Sequence, residues 1–466
     1  MPGYASWKTL YKEEYRQLYE EGYSIGDHPQ PDLDDEFLPF PEASRCSLNE
    51  GDISEAQWEQ AYWNLWQARA KGLRADFPYR EPEGYAAIIK AAGELPPLEP
   101  VSAAEYRERI KGAWHGRCAA VILGKPLEMN LNRIQIQEYL ESVAAYPLND
   151  WVPARSERLN RALREDCLPS TRGNVRYVQA DDDIHYTILA LLLAEKKGPG
   201  FTTLDVGMNW LDNVPFHWFW CASRQAYFHL VNLTEDRPKQ DQVDAIPLKI
   251  NPWRECIDGQ LRGDLWGYLH PADPRRAAAY AHRECSLSLV KNGIYGGMFV
   301  AGCISAALSG SPTADIIIRG GLAAVPRQSR LAQMVSEVTD WYAREKDWAS
   351  VCDKIYQKYG HLPFAATINN LAMVVLALLH GGLDFTKTVT TAVMCGIDTD
   401  CNSGTAGSIV GAAVGLRGIE ERWIRPLHDT VKTSVAAFGE GKISDLAERT
   451  IRLRETFDKE KADEVA

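Results

Sequence analysis

The chain has 466 residues, 45% hydrophobic and 24% charged, and its Gly (35), Pro (25) and Cys (10) contents are ordinary, which excludes collagen-like, disordered and disulfide-scaffold classes. Its formal net charge of −12 is lopsided: residues 1–100 carry 19 Asp and Glu against 9 Lys and Arg, and the rest of the chain is nearly neutral. An acidic chain with no basic stripe is not built to neutralise phosphates, so nucleic acid is not an expected partner.

Two amphipathic patterns open the chain. Ser6 to Glu21 places Tyr11, Tyr15, Leu18 and Tyr19 on one side of a helix, and Ser54 to Gly72 does the same with Trp58, Tyr62 and Leu65. The Pro- and Asp-rich stretch between them, DHPQPDLDDEFLPFPEASRC, reads as an extended linker or surface loop. The acidity of this region reads as a solvated surface. A second Pro-rich stretch, Gly93 to Ser102, marks a boundary near residue 100 between an N-terminal helical extension (1–100) and a main body (101–466).

The main body is a succession of Ala- and Leu-rich helical patterns with few alternating strand patterns, so the fold class is all-α, one large bundle. Its longest uncharged apolar run, Leu371 to Leu379, has nine residues, well short of the ~20 that cross a bilayer. The N-terminus has no apolar stretch of the secretory kind, and the ten cysteines show neither a CxxC pair nor zinc-finger spacing. Reduced thiols in a cytoplasmic, membrane-free protein are the expectation; the oligomeric state stays open.

Three segments of the body carry chemistry. GAWHGRCAAVILGKPLE has Gly112, Gly116 and Gly124 for close helix packing, and Glu128 just beyond the helix-breaking Pro126. In QADDDIHYTILALLL, Asp181, Asp182 and Asp183 precede an apolar helix. One Asp is enough for an N-cap; three beside Ile184 and Ile188 are costly unless a cation or hydrogen bonds compensate. In MCGIDTDCNSGTAGSIVGAAVG, Asp398 and Asp400 open a helix whose Gly407, Gly411 and Gly415 share one face. If the two acidic helix starts converge, hard divalent cations such as Mg²⁺ or Mn²⁺ would balance the carboxylates and orient substrate hydroxyls or a water.

Together, in this order, these motifs resemble those of the ADP-ribosylglycohydrolase superfamily (the group of the dinitrogenase reductase-activating glycohydrolase): a GxxxGxxxGxxxE-like segment, TDDTxxT, and DTD opening a late helix. The resemblance implies a compact orthogonal helical bundle with a binuclear Mg²⁺ or Mn²⁺ centre and hydrolysis at the anomeric carbon of a ribose. It implies Asp182, Asp183, Asp398 and Asp400 as the firmest ligands, with Asp181 a further candidate metal ligand that adds its charge among them or at their edge. Glu128, Asp182 or Asp183 is then the candidate base, and a small-molecule sugar or ADP-ribosylated group the substrate. The chain departs from the family at Asp181, where Thr is usual, at Cys401, where a Thr hydroxyl often ligates, and at Val121, where Asp is common; these mark a divergent ADDDI/DTDCN subgroup.

KNGIYGGMF also resembles this subgroup, and Asn292, Gly293 and Tyr295 are candidate lining of the sugar pocket; the competing reading is a helix N-terminus packed on a neighbour. The aromatic run Asn209 to Trp220 reads first as core, with stacking on a sugar or base as the alternative, and His185 as a satisfied core histidine. Two rival functions remain at this level: an inactive, crystallin-like structural member, and a two-metal phosphohydrolase, the latter short of His ligands and of a phosphate-cradling loop.

Overall fold

The computed structural model describes residues 5–26, 28–31, 53–128, 131–156, 161–163, 165–233 and 238–463. Most of the Pro- and Asp-rich stretch of residues 27–46 lies outside the described residues. The architecture is all-α, as the sequence patterns predict; the strands among the described residues are two-stranded antiparallel pairs of two or three residues each. No helix among the described residues is long and apolar enough to cross a membrane.

The N-terminal segment contributes helices α1 (Trp7–Glu20), α2 (Glu55–Trp66) and α3 (Tyr85–Ala91). Ser6 caps α1 by accepting from the Thr9 amide, and Ser54 caps α2 in a reciprocal box with Gln57. The faces legible in the sequence are the buried ones: Tyr11, Tyr15 and Leu18 meet Trp58, Tyr62 and Leu65 in a small aromatic core of their own. The exception is Tyr19, which is only partly buried at the edge of that core. Residues 73–100 then run along the body, where Arg80 N donates to Gln328 O, Gly93 N to Leu322 O, and Ile88 joins the main core.

This segment is not attached through a solvated acidic face. Glu14 and Glu21 of the first helical hairpin are 0% and 1% exposed and clasp the fully buried Arg254 of the body. Arg254 donates from Nη1 and Nη2 to the two Glu14 oxygens, each at 2.9 Å, and from Nε to Glu21 at 2.6 Å. Lys291 adds a 2.9 Å bond to Glu21, and Arg330 binds both Glu81 and Glu255. The expectation of a solvated acidic surface is therefore corrected for these glutamates: a carboxylate stays buried when a guanidinium forks onto it, and those partners lie more than 200 positions away in the chain.

The body begins with α4 (Ala103–Gly124), α5 (Arg133–Ser142), α6 (Asp182–Lys197), α7 (Thr203–Asn213) and α8 (Cys221–Val231). It continues through α9 (Gln240–Asp244), α10 (Asp264–Leu269), α11 (Pro274–Cys285), α12 (Lys291–Ala307), α13 (Ala314–Leu322), α14 (Arg330–Glu345) and α15 (Trp348–Tyr359). It closes with α16 (Thr367–Gly381), α17 (Phe385–Cys395), α18 (Thr399–Val414), α19 (Glu421–Ile424) and α20 (Ile443–Asp463).

The contact that positions the site is the antiparallel crossing of α4 and α18. A methyl on Gly112 would collide with the Gly411 carbonyl, one on Gly407 would meet Gly116 O at 2.5 Å, and Gly124 lies against Thr399. Only hydrogen at these Cα positions lets the two backbones touch. Thr399 Oγ1 donates to Gly124 O at 2.8 Å and Ser403 Oγ to Ala120 O at 2.7 Å, which fixes the register. The crossing brings the end of α4 to the start of α18. Beyond Glu128, Leu131–Asn132 pairs with Gly396–Ile397, so the loops leaving one helix and entering the other are stitched together.

Candidate metal centre

Three chain segments converge where α4 ends and where α6 and α18 begin. Oxygens of Glu128, Asp398 and Asp400 approach within 4.8 Å of one another; so do ligand atoms of Asp183, Asp400 and Cys401, and of Asp181, Asp182 and Asp183. Asp400 belongs to two of these groups and Asp183 to two, so the three form one continuous acidic cluster. The convergence of the two acidic helix starts that the sequence raised as a condition is thus present in the structure.

Local structure explains each placement. Asp181 caps α6 by accepting from Asp183 N at 3.0 Å, so Asp182 and Asp183 occupy the first helical turn, where the positive end of the helix favours carboxylates. Asp398 precedes α18 and Asp400 sits in its first turn, with Asp400 Oδ1 accepting from the Cys401 amide at 3.0 Å. Asp181, Asp183, Asp398 and Asp400 are buried, whereas Asp182 and Glu128 are partly exposed.

Burial and mutual repulsion both oppose ionisation here. Burial first, and then the neighbouring Asp400, Asp398, Asp181 and Asp182, push the Glu128 carboxyl up to about 12. Asp182, Asp183 and Asp398 are driven well above the carboxylate range by the same two causes in the same order. Such a cluster is costly as a scaffold and favourable around cations, and one atom says so directly: Asp398 Oδ1 is buried with no hydrogen-bond partner. Carboxylate oxygens at this density, with the Cys401 thiol as the exception, suit hard divalent ions, so the carboxylates present fit Mg²⁺ or Mn²⁺.

Two cations reach the cluster that the sequence reading did not single out. Arg117 of α4, fully buried, binds the Asp183 carbonyl from Nε at 2.9 Å and from Nη2 at 2.7 Å, and its Nη2 lies 3.3 Å from Asp183 Oδ1; Nη1 turns to Asp264. Lys125, at the end of α4, pairs with Asp181 Oδ2. The available signal was two basic residues inside the apolar run GRCAAVILGKP, positions that are seldom buried without a carboxylate. Cys401, a poor ligand for a hard ion, is held as a thiol by burial and by Asp183 beside it, and its Sγ donates to Asp183 Oδ2 at 3.2 Å.

The candidate sugar-pocket residues Asn292 and Tyr295 bond to groups outside the acidic cluster. The Asn292 amide donates to Glu81 and Glu255, both at 2.8 Å, and accepts from Leu331 N; the Tyr295 hydroxyl donates to Pro82 O. Gly293 sits under the Arg254 carbonyl, with 2.8 Å available to a Cβ. Asn292 and Tyr295 thus hold the N-terminal segment, which the body sequence alone does not display, while Gly293 packs within the body. The aromatic run is mostly core, with Trp210 and Phe219 buried, while Trp220 is 52% exposed under Arg224. His185 is held neutral, pushed down to about 4 by burial, and accepts from Ser434 N at 3.1 Å.

The sequence model of the ADP-ribosylglycohydrolase family matches residues 102–461, starting at the Ser102 cap of α4. Among solved structures, a chain of an "ADP-ribosylglycohydrolase-related protein complex" is similar at 16% identity, with 76% of this chain and 99% of that chain covered and a TM-score of 0.48. No curated protein matches the chain. With its three motifs joined in one acidic centre and the family model covering most of its length, the chain belongs to the ADP-ribosylglycohydrolase family.

Proposed function

We propose that the protein is a metal-dependent glycohydrolase that cleaves the C1–N or C1–O bond of an ADP-ribosyl or related sugar, acting on a soluble small molecule or an ADP-ribosylated group in the cytoplasm. The observation that carries this reading is the linking of Glu128, Asp182, Asp183, Asp398 and Asp400 in one acidic cluster, which includes the partnerless Asp398 Oδ1. Nine described cysteines, all free, support a reducing location.

Asp182, Asp183, Asp398 and Asp400 are the residues that would hold two Mg²⁺ or Mn²⁺ ions. When bound, such ions neutralise the carboxylates, orient vicinal sugar hydroxyls and lower the pKa of a water. The protein's own part is positional. Arg117 and Cys401 fix the two Asp183 oxygens, and the Cys401 amide fixes Asp400. Glu128 and Asp182, the partly exposed members, are placed to meet solvent and substrate. As the C1 bond lengthens with oxocarbenium character, one of these carboxylates takes a proton from the incoming water, whose oxygen bonds to C1; the leaving group carries off the electron pair of the broken C1 bond and takes a proton from solvent.

The test is incubation of the Mg²⁺-supplied protein with ADP-ribosylated peptides, ADP-ribose derivatives, nucleosides and plain glycosides, with detection of the freed sugar. We expect sugar release that disappears in the combined Asp182→Asn and Asp400→Asn variant. Release of phosphate in its place would point to two-metal phosphoryl hydrolysis, and full activity in the double variant would sink the reading.

A further inference from the structure

Asp181 sits in the acidic cluster and, where Asp183 meets the Arg117 guanidinium and the Cys401 thiol, it meets a lysine ammonium. Oδ1 accepts the Asp183 amide at 3.0 Å as a helix cap, and Oδ2 takes the Lys125 ammonium. Lys125 is 7% exposed, springs from the end of α4 and donates also to Ala180 O at 3.2 Å, so it is held on one side of the cluster by a carboxylate and a carbonyl. Its charge is felt by Asp400 and Asp182 as well. Arg117 divides its charge between Asp183 and Asp264, whereas the recorded ion pair of Lys125 is with Asp181.

We infer that Asp181 and Lys125 form a positioning pair, with Asp181 serving as the tether of the ammonium and not as a metal ligand. The tether keeps Lys125 off Asp182 and Asp400 and leaves those carboxylates open to the divalent ion. Without it, the buried ammonium would turn to the nearest remaining carboxylates and compete with the ion for them. The inference rests on the metal-centre reading above.

The test is a calorimetric Mn²⁺ titration of the full chain, with the melting temperature of the metal-free protein as a second readout. Asp181→Asn, which keeps the shape and the cap, frees the ammonium and should weaken Mn²⁺ binding by roughly 10- to 100-fold, the range seen when a group orienting a metal ligand is lost. Lys125→Met leaves Asp181 buried without its cation: the metal-free protein should melt lower, and Mn²⁺ should bind at least as tightly as to the parent. Combining Lys125→Met with Asp181→Asn should restore affinity to near the parent value, because competitor and tether are removed together. Lys125→Arg should behave like the parent. If Lys125→Met does not fold, Lys125→Gln in the Asp181→Asn background takes its place.

Equal weakening in Asp181→Asn and in the double variant would make Asp181 a ligand and overturn the inference, as would an Asp181→Asn protein of unchanged affinity. Failure of the parent itself to bind Mn²⁺ would instead remove the metal-centre reading on which the inference stands.

Discussion

Replacing Arg254 by methionine is expected to cost on the order of 3–5 kcal/mol of stability and to release the first helical hairpin from the body. Arg254 is fully buried and carries four hydrogen bonds, three of them to Glu14 and Glu21 and one to Asn251 O. The methionine variant strands two carboxylates in a dry interface. Lys291 still faces Glu21, but Glu14 is left with the Tyr62 hydroxyl at 3.4 Å. The loss should therefore exceed that of a surface ion pair, which is worth about 0–1 kcal/mol. Denaturant unfolding gives the magnitude, and limited proteolysis gives the location: early cutting should fall among residues 1–80. Substituting Glu14 by Gln along with Arg254→Met should recover part of the loss, since Glu21 keeps Lys291 as its partner and no carboxylate is then buried alone. A change under about 1 kcal/mol in the single variant would show that the clasp does not hold the segment.

Gly411→Val should damage the fold and the site together. A Cβ at this position runs into the Gly112 carbonyl of α4, which is backbone and has no rotamer to move to. The helices must separate, and overpacking of a fitted core costs about 1–3 kcal/mol or more. The same separation would pull Glu128, at the end of α4, from Asp398 and Asp400, at the start of α18. The variant should thus lose Mn²⁺ affinity even at temperatures where it stays folded. Gly200→Ala, at a position with open space around it and an ordinary φ, is the control and should shift stability by no more than about 0.5 kcal/mol. Equal behaviour of the two variants would mean that the α4–α18 contact does not set the geometry of the centre.

Features whose causes are local are legible in the sequence. Ser6, Ser54 and Ser102 cap helices because each hydroxyl accepts from an amide three residues on, and Asp181 caps α6 by accepting from the amide two residues on. The Gly407, Gly411 and Gly415 stripe foretold a close helix neighbour, and the structure supplies it in Gly112 and Gly116. What escaped depends on partners far apart in the chain. Nothing near Glu14 or Glu21 distinguishes them from the exposed glutamates of the same acidic segment; Arg254, more than 230 positions later, does. Likewise Asn292 and Tyr295 look like polar groups free for a ligand until Glu81 and Pro82 arrive from the N-terminal segment. Arg117 and Lys125 were within reach: a basic residue in an apolar helical run implies a buried acid, and the acidic motifs were already in view.

The central claim is that the acidic cluster is a cation site and not a scaffold feature. Its most direct test is metal analysis of protein purified without chelator, joined to a thermal melt with and without added Mn²⁺. About two divalent ions per chain are expected, with a clear rise in melting temperature worth about 2.7 kcal/mol when free ion is a hundredfold above its dissociation constant. Both should be lost in the combined Asp182→Asn and Asp400→Asn variant. No bound ion and no thermal response in the parent protein would contradict it.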